Sequence, residues 1–194
     1  MTNMSPPKTP TTFWLVVIVA VVTGIQGAKG ASVSSSVRST GYVNYWDAPL
    51  AWDAPIGYAV VGTFSYHDNG REDRRWGFRY AKINKRAYYD GLQKLHVTNY
   101  DNYMWRECYH GYMMTSFTSW HSNYREDRQW VFRCARVPRS SLSDCHWTKE
   151  VNDYDRRLDY RTPADYVLAG VRSYHHNGKE DRRFLFKICK LVLQ

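Results

Sequence analysis

One segment occurs three times in this chain, as Ser65–Arg79, Ser119–Arg133 and Ser173–Lys187, each copy 54 residues after the last. Seven positions are identical in all three copies: Ser, His, Asn, Glu, Asp, Arg and Phe. A fixed period of this kind means one supersecondary unit built three times, none of which closes a core alone. It also means that a site carried by the unit exists in about three copies, which favours multivalent binding over one catalytic centre. The frame extends upstream, where Val43, Val97 and Val151 fall in register, as do Asp47, Asp101 and Asp155. The modules are therefore expected at 43–96, 97–150 and 151–194. No Pro/Gly/Ser-rich linker separates the first two, so one pseudo-threefold domain is expected rather than three beads.

Within each copy the residues after the shared Arg alternate. Trp76, Phe78 and Tyr80 share one face, as do Trp130, Phe132 and Cys134, and Phe184, Phe186 and Ile188. A period of two with aromatics is a half-buried strand. Val60–Phe64 and Leu168–Arg172 supply partner strands, and Asn69-Gly70 and Asn177-Gly178 between them are hairpin signals. Module 2 has Asn123-Tyr124 instead, so the shared Asn is expected in the left-handed conformation. No apolar period of 3.6 runs through residues 31–194. The fold class is all-β: three repeats in one closed pseudo-threefold domain of β-trefoil or β-prism type, which hides strand edges.

Phe13 to Ile25 form an apolar run that is too short for a membrane span and fits a signal peptide. Cleavage is expected near 27–30, followed by a loose tail over 31–42 and a domain over 43–194. Residues 1–30 hold two of the 27 Lys and Arg and none of the 18 acids, so the formal charge falls only from +9 to +7. A secreted basic protein meets polyanionic glycans before nucleic acid. The four Cys fit disulfides in an oxidising compartment and allow three connectivities. The repeat register favours Cys108–Cys134, bracketing one hairpin, and Cys145–Cys189.

The shared polar residues divide into two groups. Asp73, Asp127 and Asp181 with Arg74, Arg128 and Arg182 are expected to build the hairpins, together with Glu72, Glu126, Glu180, Trp76, Trp130 and Phe184. His67, Asn69, Arg71, His121, Asn123, Arg125, His175, Asn177 and Lys179 flank the turns and are the expected glycan or anion contacts. No Cys-x-x-Cys pair, nucleophile elbow or phosphate loop occurs, and adjacent Glu72 and Asp73 on a strand point to opposite faces. No catalysis, metal or cofactor is expected.

The segments Asp73-Arg74-Arg75-Trp76-Gly77-Phe78 and Asp127-Arg128-Gln129-Trp130-Val131-Phe132 resemble the mark of the dermatopontin family, a repeated Asp-Arg-x-Trp-x-aromatic. The third copy, Asp181 to Phe186, has Phe184 for Trp. The resemblance covers essentially all of 43–194. It implies a secreted protein of the extracellular matrix or body fluid that binds proteoglycans, acidic glycans, collagen and cell surfaces. The other role it implies is that of a soluble lectin that aggregates cells. The family is usually richer in Cys, and module 1 lacks the bridge of module 2.

Overall fold

The computed structural model describes Met1, residues 31–84 and residues 89–194. The expected signal peptide lies outside the described residues apart from Met1. Twelve strands and no helix are formed there: β1 (Val33–Ser39), β2 (Leu50–Asp53), β3 (Tyr58–Asp68), β4 (Asp73–Ile83), β5 (Asp90–Lys94), β6 (Met104–Glu107), β7 (Met113–Ser122), β8 (Asp127–Arg136), β9 (Ser140–Trp147), β10 (Leu158–Arg161), β11 (Tyr166–His176) and β12 (Asp181–Leu193). They build three antiparallel sheets of four strands, ordered β1-β4-β3-β10, β2-β7-β8-β5 and β6-β11-β12-β9.

Each sheet has a repeat hairpin at its centre: β3–β4, β7–β8 or β11–β12. The hairpins form because alternation puts aromatic residues on one face and cations on the other. Trp76, Phe78, Trp130, Phe132, Phe184 and Phe186 are all buried, and all belong to one cluster at the centre of the molecule. Trp76 meets Trp130 and Phe184 edge-on, with centroids 5.1 and 5.0 Å apart, so the three sheets converge on a common aromatic core.

The outer strands show how the units interlock. The strand ahead of each pair (β1, β5 or β9) stays in its own sheet, beside the hairpin's second strand. The next strand crosses over. β2 joins the hairpin of unit 2, β6 that of unit 3, and β10 that of unit 1. Leu50, Met104 and Leu158, 54 residues apart, open these lent strands opposite the shared Ser119, Ser173 and Ser65. All three apolar side chains are fully buried. Each unit thus completes its neighbour's sheet, and the exchange closes in a cycle.

Two expectations are corrected here. The sheets do not close into a trefoil or prism-type barrel. Four strands are too few to close on themselves, so each sheet stays open, and the three join through side chains rather than a continuous ladder. Residues 31–42 are not a loose tail, because β1 pairs with β4 and Val33 is buried. The structural unit therefore begins about ten residues before the expected frame, and β1, β5 and β9 are its equivalent first strands. Cys145 and Cys189 are joined across β9 and β12. Cys108 and Cys134 are also joined. As expected, they bracket the unit 2 hairpin, and Cys108 does more than that. It follows β6 and donates its N–H to Ala169 O, so this bond ties the lent strand back to its parent unit.

Candidate functional site

The hairpin ends of all three units meet on the pseudo-threefold axis. There the shared Asp and Arg form a closed ring of three buried ion pairs. Arg128 forks onto Asp73 (Nε–Oδ1 and Nη2–Oδ2 both 2.6 Å), Arg182 onto Asp127 (2.7 and 2.6 Å) and Arg74 onto Asp181 (2.6 and 2.7 Å). Every pair bridges two units. Each Arg also donates to the carbonyl just ahead of a lent strand: Arg128 to Ala48 O, Arg182 to Asn102 O and Arg74 to Arg156 O, all at 3.0 Å. Each Asp further accepts a backbone N–H, from Asp47, Asp101 or Asp155. The ring is thus fully hydrogen-bonded, as buried charge requires.

Asn44, Thr98 and Asn152 support the ring from behind, accepting the backbone N–H of Trp76, Trp130 and Phe184. Their side chains replace ladder bonds at a point where no strand runs. The sequence signal was present, since the three stand 54 residues apart, each one residue after the register Val.

Above the ring, four-residue loops carry the turn residues. The left-handed residue is the shared glutamate (φ 46° at Glu72, 48° at Glu126, 42° at Glu180), not the asparagine expected there. A loop of this length reverses at its last residue, and the asparagine oxygen serves instead to hold the histidine. His67, His121 and His175 place Nδ1 at 3.0, 3.0 and 3.2 Å from Oδ1 of Asn69, Asn123 and Asn177. The histidine side chains are at most 1% exposed, wedged between neighbouring hairpins. They were expected to be open to a ligand; their position against the inward-facing Arg of the paired strand buries them instead.

Arg71, Arg125 and Lys179 remain more than half exposed, facing Asp47, Asp101 and Asp155 at 3.8, 3.3 and 3.0 Å. The three glutamates converge on the axis, their carboxylate atoms within 4.8 Å of one another. On the axis acids outnumber exposed bases, so the axis itself, inside this rim, is a poor seat for a polyanion. The Glu72 carboxyl is raised to about 7, first by a proton shared with Glu126, then by burial and the charges of Glu126 and Glu180. Glu180 is raised as well, mainly by burial. A carboxyl whose folded pKa lies above its ordinary 4.5 binds protons more tightly folded than unfolded. Stability should therefore fall as pH rises from about 4.5 to about 7. Glu126→Gln should flatten that fall, read as thermal midpoints between pH 5 and 8 in EDTA; an unchanged slope would show that the carboxylates do not interact.

The outward faces of the sheets are different in character. Arg75 lies over the rings of Tyr42 and Tyr45, at 5.0 and 5.1 Å. Arg172 is sandwiched between Trp105 and Trp147, 4.0 Å from each. Arg125 lies over Tyr124 at 5.4 Å. Tyr45, Tyr124 and Trp105 are 76, 88 and 51% exposed. Each sheet or its hairpin end thus shows solvent an aromatic ring paired with a guanidinium.

Three exchanged β units, joined by an ion-pair ring and carrying cation–aromatic pairs on their outward faces, define an all-β protein of interlocked repeats. The chain belongs to the dermatopontin family: the Dermatopontin family model matches residues 25–85 and 44–193. It is 35% identical to the Hemagglutinin/amebocyte aggregation factor of Limulus polyphemus over 163 residues, covering 81% of this chain and 92% of that protein. It is 32% identical to Millepora cytotoxin-1 of Millepora dichotoma over 157 residues, covering 80% of this chain and 68% of that one. The Dermatopontin of Biomphalaria glabrata is 27% identical over 151 residues, 77% of this chain and 99% of its own length. No solved structure matches.

Proposed function

We propose that this is a secreted, non-enzymatic adhesion protein that binds acidic glycans at several points at once. The observation that carries the reading is the recurrence of an exposed ring beside a guanidinium: Tyr45 with Arg75, Tyr124 with Arg125, Trp105 with Arg172. A ring stacks on a pyranose face, and an adjacent guanidinium forks onto sulfate or carboxylate. The positive balance, +9 for the full sequence and +7 without residues 1–30, favours the same class of ligand. Disulfides accord with an oxidising compartment. Matrix proteoglycans, collagen and cell surfaces are the partners this reading implies. Arg71, Arg125 and Lys179, with Asn69, Asn123 and Asn177, form a secondary rim, and the histidines hold that rim in place.

Binding of the full chain to a sulfated glycosaminoglycan is expected to weaken steeply with salt. Arg75→Ala combined with Arg172→Ala should reduce it about tenfold without lowering the thermal midpoint by more than a few degrees. Absence of binding across a glycan array at physiological salt would overturn the reading. The name of the Limulus relative favours a second role, agglutination of cells by a soluble lectin. In that case a simple sugar blocks aggregation at moderate salt, which a purely electrostatic matrix contact does not allow.

A further inference from the structure

Glu72, Glu126 and Glu180 are the one shared triplet that the ion-pair ring and the outward faces leave unemployed. Among the described residues no arginine, lysine or backbone N–H holds any of the three carboxylates, and Glu72 Oε2 is buried without a partner. The nearby arginines are already committed to Asp73, Asp127 and Asp181. The three equivalent Asp-Asp-His groupings close by are no alternative, because in each the ring aspartate spends both oxygens on an arginine and a backbone N–H.

A separate observation comes from the third histidine. His67 and His121 direct Nε2 to the backbone carbonyls of Glu180 and Glu72, at 3.2 and 3.3 Å. His175 breaks this pattern. Its side chain is 0% exposed, and its Nε2 has no hydrogen-bond partner and faces Glu180 Oε2 at 3.6 Å. Its Nδ1 faces Asn177 Oδ1 at 3.2 Å and Asp101 Oδ1 at 3.9 Å, both acceptors. The acceptors at Nδ1 fix the ring with Nε2 turned toward Glu180 in the carboxylate cluster, as in a metal-ligating histidine oriented by its outer partners.

We propose that Glu72, Glu126, Glu180 and His175 bind one divalent transition-metal ion, of the Zn²⁺ class, on the pseudo-threefold axis. Oxygen and nitrogen ligands stand about 2.0–2.2 Å from such an ion, so four donors around it lie roughly 3–4 Å apart. The carboxylate atoms lie within 4.8 Å of one another, and His175 Nε2, outside that set, lies 3.6 Å from Glu180 Oε2, so side-chain rotations bring the four donors to that spacing. Three carboxylates and one imidazole suit Zn²⁺ or Mn²⁺, whereas Ca²⁺ takes 6–8 oxygens. The ion would neutralise the cluster and cross-link all three units at the one point where they meet. The assignment does not rest on the glycan reading.

The test is calorimetric titration of the full chain with Zn²⁺ and with Ca²⁺ in metal-free buffer at pH 7.5, alongside thermal midpoints. One Zn²⁺ per chain, a raised midpoint and much weaker Ca²⁺ binding are expected. Glu126→Gln and His175→Gln should each weaken Zn²⁺ at least tenfold, while His176→Ala, at an exposed histidine next door, should leave it unchanged. Glu180→Gln serves in place of His175→Gln if the latter does not fold. Absence of Zn²⁺ binding, binding indifferent to Glu126→Gln, or binding lost in His176→Ala would each overturn the site. Ca²⁺ binding tighter than Zn²⁺ would overturn the assigned class of ion.

Discussion

Asp127→Ala is expected to destabilise the domain by about 3–5 kcal/mol, the cost of removing one partner from a buried ion pair. Asp127 is 5% exposed and receives both the Arg182 fork and the Asp101 N–H. Its loss strands a guanidinium that is 4% exposed and whose remaining bond is to Asn102 O. The effect reaches beyond one loop, because Arg182 belongs to unit 3 and Asn102 precedes the strand that unit 2 lends to unit 3. Removing the charge as well as its partner tests the cause: Asp127→Ala with Arg182→Met should recover more than half of the loss in urea unfolding. A double variant no more stable than Asp127→Ala alone would show that the pair is not what holds the units together.

Acid should act on the same bond. Burial alone would raise the Asp127 pKa, but hydrogen bonds and charge from Arg182, the Asp101 N–H and the His175 charge outweigh it and hold the carboxyl below its ordinary value. The folded pKa is therefore depressed. The stability it confers is complete above the unfolded value of about 3.9 and disappears as pH falls through the folded one. Wild type should lose stability steeply below about pH 4, and Asp127→Ala should lose much less over the same range.

How much of this was legible depended on distance along the chain. The hairpins were readable because their signals are local. Trp76, Phe78 and their equivalents alternate over a few residues, and each pairs with a strand only a short loop away. The exchange of β2, β6 and β10 was not readable. Leu50–Asp53 is too short to show a period, and its partner, Ser116–Ser119, lies in another unit. Nothing local distinguishes a strand that stays from one that crosses. The histidines were misread for a different reason. Their position two residues beyond the buried Ser65, Ser119 and Ser173 places them on the inward face, and that period was available in the sequence. Histidine chemistry suggested a ligand where the alternation indicated burial. The same local view assigned Glu72, Glu126 and Glu180 to building their own hairpins, whereas the closed cycle brings them together.

Gly62→Ala is expected to cost about 3 kcal/mol, because it is the strand exchange that fixes this glycine. Gly62 pairs with Arg161 of the lent strand β10 and sits at the bulge in β3. A Cβ there would stand 2.2 Å from Tyr160 O and 3.0 Å from Arg161 Cα, both backbone atoms that no side-chain rotation can clear. β10 must withdraw, and with it go the buried Leu158 and the Thr162 N–H bond to Val61 O. The two equivalent positions rank the effect. At Gly170 the added Cβ meets Arg106 O at 3.0 Å, a tighter fit than ordinary but not a collision. Unit 2 has Ser116 there and already accommodates a side chain, which accepts a bond from Arg133 Nε at 3.1 Å. Destabilisation should therefore decrease from Gly62→Ala through Gly170→Ala to Ser116→Ala, the last costing about 1 kcal/mol for one lost hydrogen bond. Hydrogen exchange should show 158–161 losing protection in Gly62→Ala before the hairpins do. Equal costs at all three positions would mean that the lent strand does not approach unit 1 more closely than its counterparts approach theirs, and that the cycle owes its closure to the ion-pair ring alone.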